Sequence, residues 1–330
     1  MPHSLLLRGP YREETIASLR DALSADWTLR IWNPDEGAPA YAEALAEADA
    51  TVAMSWSAET PPAPNLKLLQ LPGAGWDRLQ FEQVPTQAAV CNVFEHEIGI
   101  AEYVLATMLM WEIRPDRMDA GLRNDDWSTS GWSGAGLHGE LYGKTLGIVG
   151  YGRIGRESAR RARAFGMPVR ACSRTPRPDD LVERCEGMDK LDELLGASDY
   201  VLVSMPLTAS NPNLFDADRL AAMRPAGVII NVSRGGLIDE QALYDALKNR
   251  RIGGAVIDTW YNYPKGGKPT APSRLPFRDL DNIIMTPHAS AWSAGLLARR
   301  WRWIGENMNR LARGEPLDNV IRTPGGPPPN

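Results

Sequence analysis

The stretch TLGIVGYGRIG (residues 145–155) constrains the fold of this chain more than any other feature. An apolar strand leads into it, and a helix is predicted from Arg153 to Phe165. Between strand and helix, three glycines stand in G-x-G-x-x-G spacing: Gly150, Gly152 and Gly155. Such glycines permit the tight turn, let the backbone approach a pyrophosphate, and let the helix pack on the strand. The context predicts a dinucleotide-binding loop that includes Arg153 and Ile154; the alternative is a glycine-rich turn without a ligand.

The next predicted strand, PVRACS, ends without the acidic residue that binds the ribose hydroxyls of NAD. Its end instead offers hydroxyl groups and guanidinium groups, from Ser173, Arg174, Thr175 and Arg177. A 2′-phosphate would find hydrogen bonds and positive charge there. We therefore predict NADP in preference to NAD; the alternative is a solvated basic loop.

Apolar strands alternate with helices along most of the chain. After the glycine loop, the predicted strands are YVLVSM, GVIINVS, GGAVID and NIIMTP. Continuous apolar strands separated by helices indicate a doubly wound parallel sheet covered on both faces. Before the loop, shorter α/β units contain the predicted strands SLLLRG, TLRIW, ATVAMSW and LKLLQLPG. The fold class is therefore predicted to be α/β.

Composition excludes several classes of protein. At 330 residues the chain is long enough for two domains. A net charge of -5 gives no general attraction to nucleic acid or to an anionic membrane. The sequence has no run of about 18 apolar residues that would predict a membrane span. Three irregularly spaced cysteines make neither a disulfide framework nor a zinc site. We expect a cytoplasmic protein with no metal and no nucleic-acid or membrane partner.

Two further predicted strands end in side chains that are capable of chemistry. Arg234 follows GVIINVS, and His288 follows NIIMTP. Ligands of such sheets bind at the carboxyl ends of the strands. A guanidinium suits a bidentate grip on a carboxylate, and an imidazole suits general acid–base catalysis. His288 alone could equally be structural, but its combination with Arg234 and the glycine loop favours catalysis.

Seven segments, in this order and spacing, resemble the D-isomer-specific 2-hydroxyacid dehydrogenases: GAGWD, GIAEYVLATML, LYGKTLGIVGYGRIG, SMPLT, NVSRGGLIDE, AVIDTW and TPHAS. The resemblance covers nearly the whole chain. It implies a Rossmann-type doubly wound domain over residues 96–292 that binds the dinucleotide. It also implies a smaller flavodoxin-like α/β domain, residues 1–95 and 293–330, that binds the substrate. The implied protein is a homodimer that reduces a 2-ketoacid to a D-2-hydroxyacid with NAD(P)H.

The resemblance also implies roles for residues at matching positions. Arg234 would bind the substrate carboxylate and polarise the 2-carbonyl, and His288 would exchange the proton. The nicotinamide pocket would be lined by Pro206, Val232 and Asp258. The substrate would meet backbone amides around Ala74 and Gly75, and the side chains of His96, Trp56 and Trp292. An aromatic wall suits a bulky or apolar 2-substituent better than a phosphate; for His96 the alternative is a solvent-facing linker residue.

One position departs from the family. Five residues after Asp258, most members carry a glutamate that orients the histidine and raises its pKa, whereas this chain has Tyr263. Without that carboxylate, the imidazolium of His288 loses an opposite charge worth about one to three pKa units. Tyr263 could hydrogen-bond His288 as a catalytic partner, or its ring could only fill the pocket.

Two other functions stay open. The NAD-dependent formate dehydrogenases of the family also lack the glutamate, which suggests a dehydrogenase of a small oxyanion such as formate or phosphite. The family also contains transcriptional corepressors, so the third hypothesis is a non-catalytic NAD(P) sensor. The presence of both Arg234 and His288 argues against it.

Overall fold

A computed structural model describes residues 2–9, 11–24, 26–132, 136–264 and 268–328. The chain divides into two compact units. The first unit is Met1–Glu95 with Ser293–Asn330, and the second unit is His96–Trp292. In the described ranges we find neither a helix of the length and apolarity needed to cross a membrane nor a cluster of residues suited to a metal ion.

The strands, in chain order, are β1 His3–Arg8, β2 Trp27–Trp32, β3 Ala50–Val52, β4 Leu68–Gln70, β5 Ala89–Cys91, β6 Leu146–Val149, β7 Val169–Cys172, β8 Arg184–Glu186, β9 Tyr200–Val203, β10 Val228–Asn231, β11 Gly254–Ile257, β12 Ile283–Met285 and β13 Val320–Arg322. The α-helices are α1 Glu13–Ala22, α2 Gly37–Glu47, α3 Glu97–Ile113, α4 Pro115–Leu122, α5 Arg153–Ala164, α6 Leu191–Ala197, α7 Ala217–Ala222, α8 Glu240–Lys248 and α9 Ala294–Arg313.

The sheet of the first unit has the order β2-β1-β3-β4-β5-β13. Its first five strands are parallel, in the flavodoxin-like order, and β13 pairs antiparallel with β5. Alternate side chains of β1 lie on opposite faces of the sheet, because successive side chains of a strand point in opposite directions. Leu5 and Leu7 pack in one cluster with Trp301 of α9, and Leu6 packs in another with Tyr41 of α2. The flavodoxin-like prediction is confirmed.

The carboxyl-terminal segment completes the first unit. Arg322 of β13 is only 5% exposed, and its guanidinium donates hydrogen bonds to four carbonyl groups, those of Phe81, Val84, Pro85 and Ala88. On α9, Gly305 packs so closely on α1 that a Cβ there would lie 2.6 Å from the Cβ of Ala22. The amide of Asn309 also donates to the carbonyl of Ala22 at 2.8 Å. Helix α9 and strand β13 therefore belong to the core of this unit.

The sheet of the second unit has the order β8-β7-β6-β9-β10-β11-β12, and all of its pairings are parallel. This is the Rossmann order 3-2-1-4-5-6 with one more strand at the β12 edge. Buried clusters cover both faces, with Val149 and Val203 on one and Ile148 and Leu202 on the other. The predicted doubly wound sheet is confirmed. Strand order reverses between β6 and β9, where ligands of such sheets bind.

Several short elements differ from the sequence predictions. Strand β3 ends at Val52 instead of continuing to Trp56, which forms an isolated bridge with Leu79. The three-residue strands β5, β8 and β13 were not predicted. Their apolar runs are too short to show a period, and sheet pairing alone defines them.

Candidate active site

The glycine loop joins β6 to α5 and is shaped by close backbone contacts. Gly150 has a φ of 97°, a conformation that favours glycine, and a Cβ there would lie 2.5 Å from the backbone nitrogen of Met205. A Cβ on Gly155 would lie 2.8 Å from the carbonyl oxygen of Gly150. A Cβ on Gly152, in contrast, would meet no described atom within 4 Å. Packing therefore requires Gly150 and Gly155, whereas the backbone at Gly152 is open to an external group.

Helix α5 points its amino-terminal end into this loop. Gly152 is the N-cap residue, and among the described residues no side chain caps the helix. The first turn of a helix presents N–H groups and the positive end of the helix dipole, which together favour a phosphate. Arg153, in that turn, lies 3.7 Å from the carboxylate of Glu97. The open backbone and the uncapped helix end fit the pyrophosphate of a dinucleotide.

The loop after β7 carries the residues predicted to select the nucleotide. The backbone N–H of Thr175 donates to the hydroxyl of Ser173 at 3.4 Å, and the Arg174 side chain is exposed. Asp179 in the same loop is paired with Arg156, with Nε 2.8 Å from the carboxylate. The carboxylate of Asp179 is thus neutralised within the protein, while Arg174 is available to a ligand.

Hydrogen bonds connect the ends of β6, β9 and β10. The hydroxyl of Ser204 donates to the carbonyl of Gly150 at 2.8 Å, and the hydroxyl of Ser233 donates to the carbonyl of Met205. Val232 follows β10 directly, and Pro206 follows Met205 just after β9, so both lie beside these bonds. Of the three residues predicted at the nicotinamide, Pro206 and Val232 therefore lie at the edge of the sheet that carries the glycine loop.

Arg234 follows β10 on a fixed backbone. Its carbonyl accepts a hydrogen bond from the amide of Asn231 at 3.0 Å, and its own guanidinium donates to the carbonyl of Ser233 at 2.9 Å. The next residue must be glycine, because a Cβ on Gly235 would lie 2.4 Å from the carbonyl oxygen of Trp260. This close packing holds Arg234 against the segment that follows β11.

Asp258, directly after β11, is fully buried and holds the loop that follows β12. Its carboxylate accepts hydrogen bonds from the Thr286 hydroxyl at 2.6 Å, the Ala289 N–H at 2.9 Å and the Ser290 N–H at 3.0 Å. These donors bracket His288, whose φ is 58°. The left-handed region costs a non-glycine residue roughly 1–2 kcal/mol. The carboxylate of Asp258 thus binds residues 286–290, which we call the histidine loop, and these hydrogen bonds offset the strain at His288.

Tyr263 contacts His288 directly. Its hydroxyl oxygen lies 2.9 Å from Nδ1 of the imidazole and also accepts a hydrogen bond from the backbone N–H of Trp260 at 3.2 Å. The single proton of the hydroxyl can therefore point to Nδ1, which leaves the proton of a neutral imidazole on Nε2. Of the two hypotheses for Tyr263, the geometry favours the hydrogen bond.

The charges around His288 influence its ionisation. Although the residue is exposed at one edge, partial burial of the imidazole lowers its pKa below the ordinary value. The negative charge of Asp258 acts in the opposite direction, and the positive charge of Arg234 lowers the pKa further. Desolvation disfavours the imidazolium more than Asp258 supports it.

The other substrate candidates of the second unit lie at its ends. His96 precedes α3, and its side chain is only 16% exposed, with Nδ1 3.8 Å from the carboxylate of Glu97. It is therefore not a solvent-facing linker residue. Trp292 is 62% exposed, and its backbone N–H donates to the carbonyl of Ala289 in the histidine loop at 2.9 Å.

The first unit holds the remaining substrate candidates. The carbonyl of Ala74 accepts a hydrogen bond from the amide of Asn92 at 2.9 Å, and Gly75 is exposed beside it. Trp56 is only 2% exposed, and its indole N–H donates to the carbonyl of Gln83 at 2.9 Å. Its ring belongs to the buried core of this unit, so packing accounts for a tryptophan at this position.

Sequence reasoning did not single out two residues that contact this network. The hydroxyl of Tyr103, on α3, lies 2.7 Å from that of Thr286. Burial raises the pKa of Tyr103 to about 12. Thr286 could have been suspected because it precedes His288 by two residues, but nothing in the apolar helix marks Tyr103.

Comparisons with known proteins agree with this geometry. Residues 105–290 match the family model described as D-isomer specific 2-hydroxyacid dehydrogenase, NAD binding domain. The D-3-phosphoglycerate dehydrogenase of Methanocaldococcus jannaschii is 31% identical over 331 residues, which cover 98% of this chain and 60% of that protein. The glyoxylate reductase of Thermococcus onnurineus is 30% identical over 259 residues, which cover 77% of this chain and 75% of that protein.

Among solved structures, a D-isomer specific 2-hydroxyacid dehydrogenase family protein from Aeromonas salmonicida matches with a TM-score of 0.81 and 26% identity. The match covers 97% of this chain and 99% of that one. Fold and glycine loop together form a Rossmann domain, and its residues match the NAD binding domain of this family. This chain belongs to the D-isomer specific 2-hydroxyacid dehydrogenase family. It spans about 60% of the length of the phosphoglycerate dehydrogenases that it matches.

Proposed function

We propose that this protein reduces a 2-ketoacid to a D-2-hydroxyacid with NADPH. One observation carries the proposal. His288, bonded to Tyr263 and held by Asp258, shares the carboxyl edge of one sheet with Arg234 and the glycine loop. A cation, a proton carrier and a dinucleotide loop at one edge are what this reaction requires.

Three side chains of the protein have separate roles in the proposed reaction. The nicotinamide of a bound dinucleotide supplies the hydride that is added to C2 of the ketoacid. Arg234 binds the carboxylate and polarises the carbonyl, since a guanidinium donates two parallel hydrogen bonds to such a group. The imidazolium of His288 gives its Nε2 proton to the carbonyl oxygen, which becomes the hydroxyl. The Nδ1–H of the ring donates to the hydroxyl oxygen of Tyr263 before and after this transfer, which keeps the imidazole oriented.

The substrate class follows from the side chains near His288. Trp292 is exposed and is tied by its backbone to the histidine loop. An indole face offers apolar contact area and no positive charge for a phosphate. We therefore propose a 2-ketoacid with an apolar or bulky 2-substituent.

NADPH is favoured over NADH by the loop after β7. Arg174 is exposed there beside the hydroxyls of Ser173 and Thr175, which suits a 2′-phosphate. The ion pair with Arg156 offsets the negative charge of Asp179, which would otherwise repel that phosphate.

A second candidate function is supported by the partner of His288. Partial burial lowers the pKa of His288, and Tyr263 brings no carboxylate to oppose it. A neutral histidine suits hydride transfer without protonation of a carbonyl. Formate becomes carbon dioxide by loss of a hydride alone, and phosphite becomes phosphate by loss of a hydride and addition of water with release of a proton. We rank this candidate second because the geometry still provides a proton carrier beside Arg234.

The test is a panel of initial rates with both cofactors. Oxidation of NADPH and NADH is followed with glyoxylate, hydroxypyruvate, phenylpyruvate and 4-methyl-2-oxopentanoate, and reduction of NADP and NAD is followed with formate and phosphite. We expect the highest kcat/KM with NADPH and one of the two bulky ketoacids. Turnover of formate or phosphite alone would favour the second candidate. Dinucleotide binding without any turnover would support a sensor.

We also propose that the protein is a homodimer. Five large apolar side chains are exposed between residues 122 and 142: Leu122, Trp127, Trp132, Leu137 and Tyr142. Trp132 and Leu137 are each 99% exposed. Large exposed apolar surface in a soluble protein marks an interaction site. Sedimentation equilibrium should give twice the chain mass, and a single chain mass at micromolar concentration would exclude the dimer.

A further inference from the structure

A tyrosine on a buried helix reaches the histidine loop. Tyr103 lies in α3, half-buried, and its hydroxyl is 2.7 Å from the hydroxyl of Thr286. Burial raises the pKa of Tyr103 to about 12, so its hydroxyl keeps its proton at any working pH. Tyr103 is therefore a permanent hydrogen-bond donor or acceptor in the second unit.

The direction of the hydrogen bonds follows from the number of protons. Asp258 accepts a bond from the Thr286 hydroxyl at 2.6 Å, and an ionised carboxylate can only accept. The single proton of Thr286 is thus committed to Asp258. Tyr103 must therefore be the donor to Thr286, and the chain runs from Tyr103 through Thr286 to Asp258.

Thr286 is held in place by hydrogen bonds of its backbone and its side chain. Its backbone N–H donates to the carbonyl of Ile257 at 3.0 Å, and its own carbonyl accepts from the indole N–H of Trp260 at 2.8 Å. With the two hydroxyl contacts, four hydrogen bonds fix this residue. His288, two residues later, has a φ of 58° and depends on neighbouring contacts to keep that conformation.

We propose that Tyr103 is a positioning residue for His288, which it orients through Thr286 and Asp258. The inference rests on the proposed function, in which His288 transfers the proton. A hydroxyl on α3 thereby sets the rotamer of Thr286 and the geometry of the carboxylate that brackets the histidine. Hydrogen bonds in such a chain polarise and strengthen one another.

The groups that face His288 indicate what loosening the loop would do. Asp258 comes from the end of β11, Arg234 from the end of β10, and Tyr263 from the segment after Asp258, while Tyr103 faces Thr286 from α3. Partial burial is the largest cause of the lowered pKa of His288. A mobile loop hydrates the imidazole, so its pKa should rise toward the ordinary value.

The experiment compares two tyrosines of the same unit whose hydroxyls form side-chain hydrogen bonds. Tyr103→Phe removes the hydroxyl that donates to Thr286. The control is Tyr200→Phe, at the start of β9, which removes a hydroxyl that donates to Glu112 of α3. For Tyr103→Phe we expect kcat to fall about tenfold, the size of one lost hydrogen bond. The KM for NADPH should stay within about twofold, since the glycine loop is untouched. Tyr200→Phe should lower the unfolding temperature at least as much and leave kcat unchanged.

A double-mutant cycle tests the route. Thr286→Val has nearly the same shape as threonine but cannot relay the bond. Adding Tyr103→Phe to Thr286→Val should cause no further loss of kcat, because both changes break one chain. Losses that multiply in the double variant would overturn the route through Thr286.

A measurement independent of turnover separates this inference from the proposed function. The chain has four histidines, so the imidazole signal of His288 can be assigned by NMR as the one missing from His288→Gln. In Tyr103→Phe the His288 signal should titrate at higher pH than in the unmodified protein. If that titration is unchanged, Tyr103 does not position His288, whatever the substrate. A shifted titration without turnover of any ketoacid would reject the proposed function and retain the positioning role.

Discussion

The two halves of the second unit's sheet build their parts of the site in different ways. At the β6–α5 loop the decisive contacts are between backbone atoms, and Gly150 and Gly155 are there because a methyl group would not fit. After β11 and β12 the decisive contacts join side chains, with Asp258, Thr286 and Tyr263 arranged around His288. The first half is thus sensitive to added volume, and the second half is sensitive to the loss of a proton donor or a charge.

The largest effect is expected in the half built from side chains. Arg234→Ala should lower kcat/KM for the best 2-ketoacid about a thousandfold, roughly 4 kcal/mol, because a charged hydrogen-bonded partner of the substrate is lost. The dissociation constant of NADPH, measured by fluorescence titration, should change only a few-fold. Arg234→Lys is the control, since it restores charge without the bidentate geometry and should recover only part of the rate. A retained rate in Arg234→Ala would show that substrate binds elsewhere.

A substitution of Arg174 shows whether the half of the sheet that carries the glycine loop binds its ligand through backbone atoms alone. Arg174→Ala should weaken NADPH binding by about 1.5–3 kcal/mol, the value of a hydrogen bond to a charged group, and leave NADH binding nearly unchanged. Arg278→Ala, which removes an exposed arginine outside this loop, is the control. Isothermal titration with both cofactors gives the comparison. Equal affinity of the unmodified protein for NADPH and NADH would remove the basis of this prediction.

Two glycines of one loop should respond differently to one methyl group. Gly155→Ala places a Cβ 2.8 Å from the carbonyl oxygen of Gly150, and such overpacking typically costs about 1–3 kcal/mol of stability. Gly152→Ala should leave the unfolding temperature unchanged and weaken dinucleotide binding, because its Cβ points into open space. Thermal unfolding without and with NADPH separates the two. If Gly152→Ala binds NADPH as tightly as the unmodified protein, the pyrophosphate does not approach there.

The smallest effect concerns the ionisation of His288. Its lowered pKa means that the imidazolium is lost at lower pH than for an ordinary histidine. Reduction needs the imidazolium, so kcat/KM should fall as pH rises through that pKa, and oxidation of the hydroxyacid should rise over the same range. Tyr263→Glu should move this limb upward by about one pH unit or more, since a carboxylate stabilises the imidazolium.

Tyr263→Phe completes the comparison at this position. The phenyl ring keeps the volume of the side chain and removes the bond to Nδ1. We expect a lower kcat at every pH, because the ring of His288 loses its orienting contact. An unchanged profile would mean that the ring of Tyr263 only shapes the pocket, and an alkaline limb above pH 8 in the unmodified protein would mean that another acid supports His288.

The same contrast explains what the sequence could predict. The glycine loop, the apolar strands and both sheets could be predicted because spacing and periodicity are local properties, and the structure confirms the doubly wound α/β fold class. Arg234 and His288 could be placed at strand ends for the same reason. The bond between Tyr103 and Thr286 could not be predicted, because 183 positions separate the two residues and only the packing of α3 brings them together. Trp56 was expected at the substrate, yet a tryptophan that packs in a core has the same sequence signature as one in a pocket.

The hydrogen bonds from Arg322 to four carbonyl groups tie β13 to a much earlier part of the chain, which affects the order of folding during synthesis. The first unit needs α9 and β13 for its core and its sheet edge, and the second unit, from His96 to Trp292, separates them from β1–β5. During translation the second unit is therefore complete in sequence before the first. Domains usually fold in the order in which they leave the ribosome. In the first unit, β1–β5 must therefore wait until β13 has been synthesised.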